Sequence, residues 1–288
     1  MTTPVLTTKL HIPSLRRNLV PRQRLLERLD EGLRRKLTLV SAPAGFGKTT
    51  LLAGWIQGLG AAGSPPVKVA WISLDEGDND PVRFSAYLTA ALQRTDQGIS
   101  PTDGEPFDSP FLSESHLIEW INQVSALPYV FVLALDEYHL IAAQAVHDAV
   151  TFLVNHLPDN LHVVLATRGD PPLPLARLRA RGQLVELRQS DLRFTTEEAA
   201  HFLNRVMGLD LSAKIEPTSS SSRWTKSGAG TVTIASLPSC CAGAWDRRAP
   251  SWCPTCTAAP ASGTSGRGWW PRPSSMPWPR PILSGQPP

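Results

Sequence analysis

Ala42-Pro-Ala-Gly45-Phe-Gly47-Lys48-Thr49-Thr50 follows directly on Leu37-Thr-Leu-Val-Ser41 and leads into Leu51, Leu52, Trp55, Ile56 and Leu59. The first run is short, apolar and β-prone, and the last set recurs at helical spacing. The glycine-bearing stretch is therefore a strand-to-helix turn. It matches the phosphate-loop pattern G-x-x-x-x-G-K-[ST] except that Ala42 stands for the first glycine. Small residues let the backbone curl with its N–H groups pointing inward around phosphate oxygens. The helix N-terminus favours an anion, Lys48 reaches the β- and γ-phosphates, and Thr49 offers a hydroxyl to Mg2+. The predicted nucleotide-binding residues are thus Ala42, Pro43, Ala44, Gly45, Phe46, Gly47, Lys48, Thr49 and Thr50. A chance Gly-Lys-Thr in an ordinary turn is the bland alternative, and the strand before and helix after speak against it.

Outward from the loop, strands and helices alternate. Strands are predicted at 67–74, 129–135, 161–167 and 184–187, and helices at 48–59, 82–94, 113–126, 142–157, 173–181 and 195–207. Asp80-Pro81 is a helix start, and Thr195-Thr-Glu-Glu198 is a capping box. Tyr129 to Leu135 is continuously apolar, as expected of a strand covered on both faces. The fold class is α/β: a P-loop NTPase with a mostly parallel sheet covered by helices on both faces, its strand C-terminal ends gathered at one edge.

The strand Leu133-Ala-Leu delivers Asp136 and Glu137 to that edge. Asp136 would hold Mg2+ through water, and Glu137 would orient or deprotonate an attacking water. Acids at an ordinary strand-to-loop transition are the alternative, weakened by the phosphate loop upstream. Arg168 ends the next strand, where it can reach a γ-phosphate or be no more than a surface arginine.

The chain has 288 residues, 42% of them hydrophobic and 18% charged, which excludes a disordered polar chain. Its longest apolar run is about seven residues, against roughly 20 for a membrane span, so no membrane partner is expected. Met1-Thr-Thr-Pro-Val lacks a basic patch followed by an apolar stretch, so no secretory signal is evident and a cytoplasmic location is expected. The net charge of +3 hides a break: residues 1–215 carry a net of −2 and residues 216–288 a net of +5. The basic balance therefore belongs to the last 73 residues, not to a nucleic-acid face on the folded part.

Five motifs follow one another in order: Ala42 to Thr50, Trp71-Ile-Ser-Leu-Asp75, Asp136-Glu-Tyr-His-Leu140, Arg168 to Arg181 and Asp191-Leu-Arg-Phe-Thr-Thr-Glu-Glu198. Together they resemble the nucleotide-binding domain of the MalT-like, LuxR-family transcriptional regulators, among the signal-transduction ATPases with numerous domains. The resemblance spans residues 5–210. Lys9-Leu-His-Ile-Pro13 and Leu19 to Arg24 resemble the family's opening segment, which implies that the segment from Val20 to Arg22 lies near the adenine. The resemblance implies a switch that binds ADP at rest and ATP in an active, self-associating form, with slow hydrolysis. It implies phosphate and Mg2+ contacts at Lys48 and Thr49, metal binding at Asp136, water activation at Glu137, and γ-phosphate sensing at Arg168. Family members often carry Asp where Glu137 stands.

Full-length family members bind promoter DNA through a helix-turn-helix that these 288 residues lack, so no sequence-specific DNA binding is expected. After Lys214 no helical or strand periodicity survives, acids nearly vanish, and six of the nine Trp, 12 of the 27 Pro and all four Cys accumulate. The expected organisation is an N-terminal lead-in at 1–30, a P-loop NTPase domain at 31–207, and a linker with an aberrant, disordered Pro/Ser/Trp-rich tail at 208–288. A frameshift near codon 215 accounts for such a composition. A zinc module is the competing reading, but Cys253-Pro-Thr-Cys256 has no second knuckle, because Cys240 and Cys241 are adjacent. Two other functional readings stand beside the switch. One is a metabolic P-loop kinase with Arg177-Leu-Arg179-Ala-Arg181 as a lid, and the other is a non-functional fragment. His139 reads as a hydrogen-bonding or packing residue rather than a metal ligand.

Overall fold

The computed structural model describes residues 4–15, 19–59, 67–96, 99 and 114–206, and beyond them the backbone of short strands within 211–250. Strands β1 (Leu37–Ser41), β2 (Val67–Ser73), β3 (Val130–Asp136), β4 (Leu161–Thr167) and β5 (Leu184–Arg188) form one sheet. All its pairings are parallel, in the order β2-β3-β4-β1-β5.

Side chains alternate across this sheet with period two, and both faces are covered. Leu37, Leu39, Phe131, Leu133, Val163 and Leu165 join one apolar cluster with α3 (Pro81–Thr95), α4 (Glu114–Ser125) and α5 (Gln144–His156). Val40, Val132, Ala134, Val164, Ala166 and Leu187 join the other with α1 (Gln23–Gly32) and α2 (Lys48–Leu59). Because every strand runs the same way, their C-terminal ends share one edge. There Ser41 pairs with Thr167 and Arg188, and Ser73 pairs with Asp136.

The expected elements are present to within a residue or two at most ends. Asp80 caps α3 by accepting from the Val82 N–H at 3.0 Å, with Pro81 in the first turn. The capping box at Thr195 opens α7 (Thr196–His201), with Thr195 and Glu198 bonded reciprocally at 3.2 and 2.9 Å. The helix expected to run to 207 is α-helical only to His201, and Phe202–Val206 continues it as a wider π turn. A short α6 (Leu175–Ala180) joins β4 to β5. The helix α1, which buries Leu25 and Leu29 fully on its inner face, is not among the expected elements.

Past Val206, β6 (Leu211–Ala213), β7 (Ser222–Lys226) and β8 (Thr231–Ile234) form an antiparallel sheet in that order. β9 (Trp245–Asp246) pairs with β10 (Ala249–Pro250). These strands lie within the segment 208–288, where a linker and a disordered tail are expected from sequence. The run Thr231-Val-Thr-Ile234 is β-branched throughout, which suits a strand. The remainder of the expected tail, with Cys240, Cys241, Cys253 and Cys256, lies outside the described residues.

One buried polar cluster ties the end of α1 to the middle of the sheet. The His162 ring nitrogens contact the Arg35 carbonyl at 2.6 Å and the Thr38 hydroxyl at 3.0 Å. Gly32 passes so close that a Cβ there would stand 2.4 Å from Thr38 Oγ1. Gly32→Ala should therefore displace Thr38 from His162 and lower stability by about 1–3 kcal/mol, read from chemical denaturation. Burial pushes the His162 imidazole down to about 4, below its ordinary value, so the folded protein holds it neutral. Its contribution to stability is complete above the unfolded value near 6.5 and is lost as pH falls from there through about 4. In His162→Gln the fall in stability over that window should be shallower by up to about 3 kcal/mol.

Candidate functional site

The phosphate loop leaves β1 at the C-terminal edge and turns into α2. Gly45 and Gly47 adopt φ of 81° and 76°, the left-handed region that glycine enters without steric cost. Lys48 is 5% exposed and donates from Nζ to the carbonyls of Ala42 at 2.9 Å and Pro43 at 3.1 Å. Burial lowers its pKa, Glu137 and Asp136 oppose that, and Arg168 adds to it. Thr49 Oγ1 donates to Asp136 Oδ2 at 2.8 Å, joining the loop to the end of β3. Asp136 Oδ1 accepts from the Glu137 N–H at 3.0 Å. Burial raises the Asp136 carboxyl above its ordinary value, the Thr49 bond opposes this, and the neighbouring Glu137 reinforces it.

Glu137 is the one non-glycine residue with positive φ among those described, at φ 58° and ψ 31°. Its Oε2 lies 3.7 Å from Arg168 Nη2 and 3.4 Å from His139 Nε2. That second approach is too poorly aligned for a hydrogen bond, and both His139 ring nitrogens are buried without a partner. Burial and Arg168 lower the His139 pKa, and the neighbouring Glu137 opposes this.

A cleft of about 630 Å³ opens over the loop. Of the residues singled out from sequence, Ala44 through Thr50, Glu137, Arg168, Val20 and Arg22 line it. Ala42, Pro43 and Asp136 do not: the first two present carbonyls to Lys48, and Asp136 sits behind Thr49 at 3% exposure. Arg22 lines the cleft with its guanidinium already engaged. It donates to the carbonyls of Leu192 at 2.8 Å and Arg193 at 3.0 Å and lies 3.5 Å from Glu198. Burial lowers its pKa and Glu198 opposes this. Leu15, Leu19, Leu26 and Phe194 also line the cleft and are not among the site residues expected from sequence. Phe194 falls within the quoted Asp191–Glu198 motif and Leu19 opens the quoted Leu19–Arg24 segment, whereas Leu15 and Leu26 carry no signal beyond apolarity.

The arginines of the supposed kinase lid point elsewhere. Arg179 pairs with Glu186 through two bonds of 2.8 and 2.9 Å, Arg177 bonds Asn155, and neither lines the cleft. Among the described residues no three His, Cys, Asp or Glu side chains gather as a metal cluster, and no helix is long and apolar enough to cross a membrane.

No family model matches the chain. Among curated proteins, the HTH-type transcriptional regulator MalT of Serratia proteamaculans is 38% identical over 208 residues, 69% of this chain and 22% of the relative. Its namesake in Cronobacter sakazakii is 37% identical over 218 residues, 75% of this chain and 23% of the relative. That of Yersinia enterocolitica is 36% identical over 215 residues, 72% and 22% of the two lengths. The chain thus spans about a fifth of the length of the curated relatives it matches. Solved structures resemble it more loosely. A signal-transduction ATPase with numerous domains and a tetratricopeptide-repeat sensor from Pyrococcus horikoshii has a TM-score of 0.42 at 13% identity, over 72% of this chain and 28% of that one. The Aeropyrum pernix ORC1 protein in complex with DNA has a TM-score of 0.41 at 18% identity, over 66% and 50%.

The Thr49–Asp136 contact makes a prediction about the unliganded protein. In Asp136→Asn the amide can accept from the Glu137 N–H and donate to the Thr49 hydroxyl while a buried charge disappears. Its melting temperature should equal or exceed that of the unaltered chain. Asp136→Ala leaves both donors without an acceptor and should cost about 1–3 kcal/mol in the same measurement.

Proposed function

From homology to the MalT transcriptional regulators over 208 residues, we propose that this chain is the nucleotide-dependent switch module of such a regulator, binding ADP and ATP with Mg2+. The observation that carries the reading is the 2.8 Å bond from Thr49 to Asp136, which joins a phosphate loop to an acid pair. Lys48 would meet the β- and γ-phosphates once drawn from its loop carbonyls, and the backbone N–H groups of Gly45 to Thr49 would surround them. The hard oxygens of Thr49 and Asp136 would hold Mg2+, which would offset the charge on the phosphates. Arg168 stands at the open edge where a γ-phosphate would compete with Glu137 for its guanidinium. Glu137, released in this way, would orient or deprotonate the attacking water, and slow hydrolysis would reset the switch.

The proposed NTPase domain covers residues 31–207, flanked by the lead-in at 1–30 and by the segment 208–288. Self-association in the ATP state is part of the same proposal. Promoter recognition is assigned to no residue of this chain. A metabolic kinase is less well supported, because Arg177 and Arg179 are held away from the cleft.

Calorimetric titration of the full chain with Mg·ADP and Mg·ATP, beside Lys48→Ala, tests this. Micromolar or tighter binding that disappears in the variant is the expected result. Absence of binding by the folded, unaltered chain would overturn the proposal.

A further inference from the structure

Beyond the phosphate loop and the charged pair Glu137 and Arg168, the cleft wall turns apolar. Pro13, Leu15, Leu19, Val20, Leu26 and Phe194 line it there. Phe194 supplies this wall's aromatic ring, half-buried and set in place from several directions. The Arg22 guanidinium lies 4.9 Å from its ring centroid, and Phe202 stacks on it at 5.9 Å with an interplanar angle of 29°. Arg22 is in turn fixed to the carbonyls of Leu192 and Arg193, so the backbone leading into Phe194 is anchored too. Thr195, the next residue, is locked by its capping box.

A ring held this way loses little conformational freedom when a ligand meets it, and aromatic side chains bury much area at low entropic cost. Phosphate binding needs no aromatic group. A nucleobase gains from one, because every base has a flat π-face that can pack on an aromatic ring. We infer that Phe194 is a nucleobase-contacting residue of this cleft. It supplies affinity for the base of a purine nucleotide and none for its phosphates. The inference rests on the nucleotide reading above and adds to it a residue whose effect can be separated from that of the phosphate loop.

The experiment compares two probes on the full chain, Mg·ADP and Mg·pyrophosphate, with Phe194→Ala, Phe194→Leu and Lys48→Ala as variants. Phe194→Ala should weaken ADP roughly tenfold or more, the range for losing one base–aromatic contact, and leave pyrophosphate within about twofold. Phe194→Leu, which keeps apolar bulk without the π-face, should fall between. Lys48→Ala should lose both probes. Equal loss of both probes in the two Phe194 variants would overturn the inference, as would ADP affinity unchanged in Phe194→Ala. An unaltered chain that binds pyrophosphate but gains nothing from the base of ADP would overturn it as well. An unaltered chain that binds neither probe would overturn the nucleotide reading itself, and this inference with it.

Discussion

A hydrogen bond of 2.8 Å between the Thr49 hydroxyl and the Asp136 carboxylate links the segment that follows β1 to the end of β3, two strands that are not neighbours in the sheet. β4 lies between them, with Ser41 of β1 registered against Thr167 and Leu135 of β3 against Leu165. The loop after β1 must therefore pass over the end of β4 to meet the acid. It does so from the first residue, because the Ala42 N–H donates to the Thr167 carbonyl at 3.2 Å. β4 clears the way by turning at Thr167, whose hydroxyl closes onto the Gly169 carbonyl at 2.9 Å. Asp136 depends on the arrangement as much as the loop does. A carboxylate at 3% exposure without donors would carry a penalty of several kcal/mol.

The N-terminal residues are held by charge more than by secondary structure. Lys9, 8% exposed, bonds the fully buried Asp78, lies 3.0 Å from Asp75 and sits 4.1 Å from the Tyr87 ring centroid. Arg83 closes the group by pairing with both acids. Farther along, Arg22 and Arg24 share Glu198, and Arg28 pairs with Asp191 at 2.9 Å. Such networks add little net stability where apolar packing could replace them, but removing one member strands the rest. Their effect is to fix register: a short 3-10 turn at Thr7–Leu10 and the start of α1 each have one place to sit.

The parallel sheet and the phosphate loop were legible because they are written locally. Strand periodicity, a strand-loop-helix order and the run from Gly45 to Thr49 each fall within a dozen residues. Asp136 and Glu137 were legible for the same reason, as acids at the end of an apolar strand. What escaped depends on long-range pairing. Nothing near Lys9 in the chain points to Asp78, 69 positions away, and nothing near Arg22 points to the carbonyl of Leu192, 170 positions away. The helix α1 is a different case: Leu25, Leu29 and Leu33 recur at helical spacing among charged residues, so its amphipathic stripe was legible locally and was passed over.

The backbone at Glu137 shows why the acid pair is more than two carboxylates side by side. A left-handed glutamate costs about 1–3 kcal/mol and persists only where its surroundings over-determine it. Asp136 holds the Glu137 N–H from one side. On the other, Asn79 uses its whole amide. It donates to the carbonyls of Glu76 and Leu140, both at 2.9 Å, and accepts from the N–H groups of Ala142 at 2.6 Å and Ala143 at 2.8 Å. The turn after β3 is thus pinned to the loop after β2, and the Glu137 carboxylate comes to rest between Arg168 and His139. The strain at Glu137 is consequently maintained by residues from the loop after β2, and the same buried charge network that fixes Lys9 fixes that loop. Lead-in segment, β2 loop and acid turn are thereby tied in series, Lys9 to Asp78 and Asn79 to the backbone of Leu140, Ala142 and Ala143.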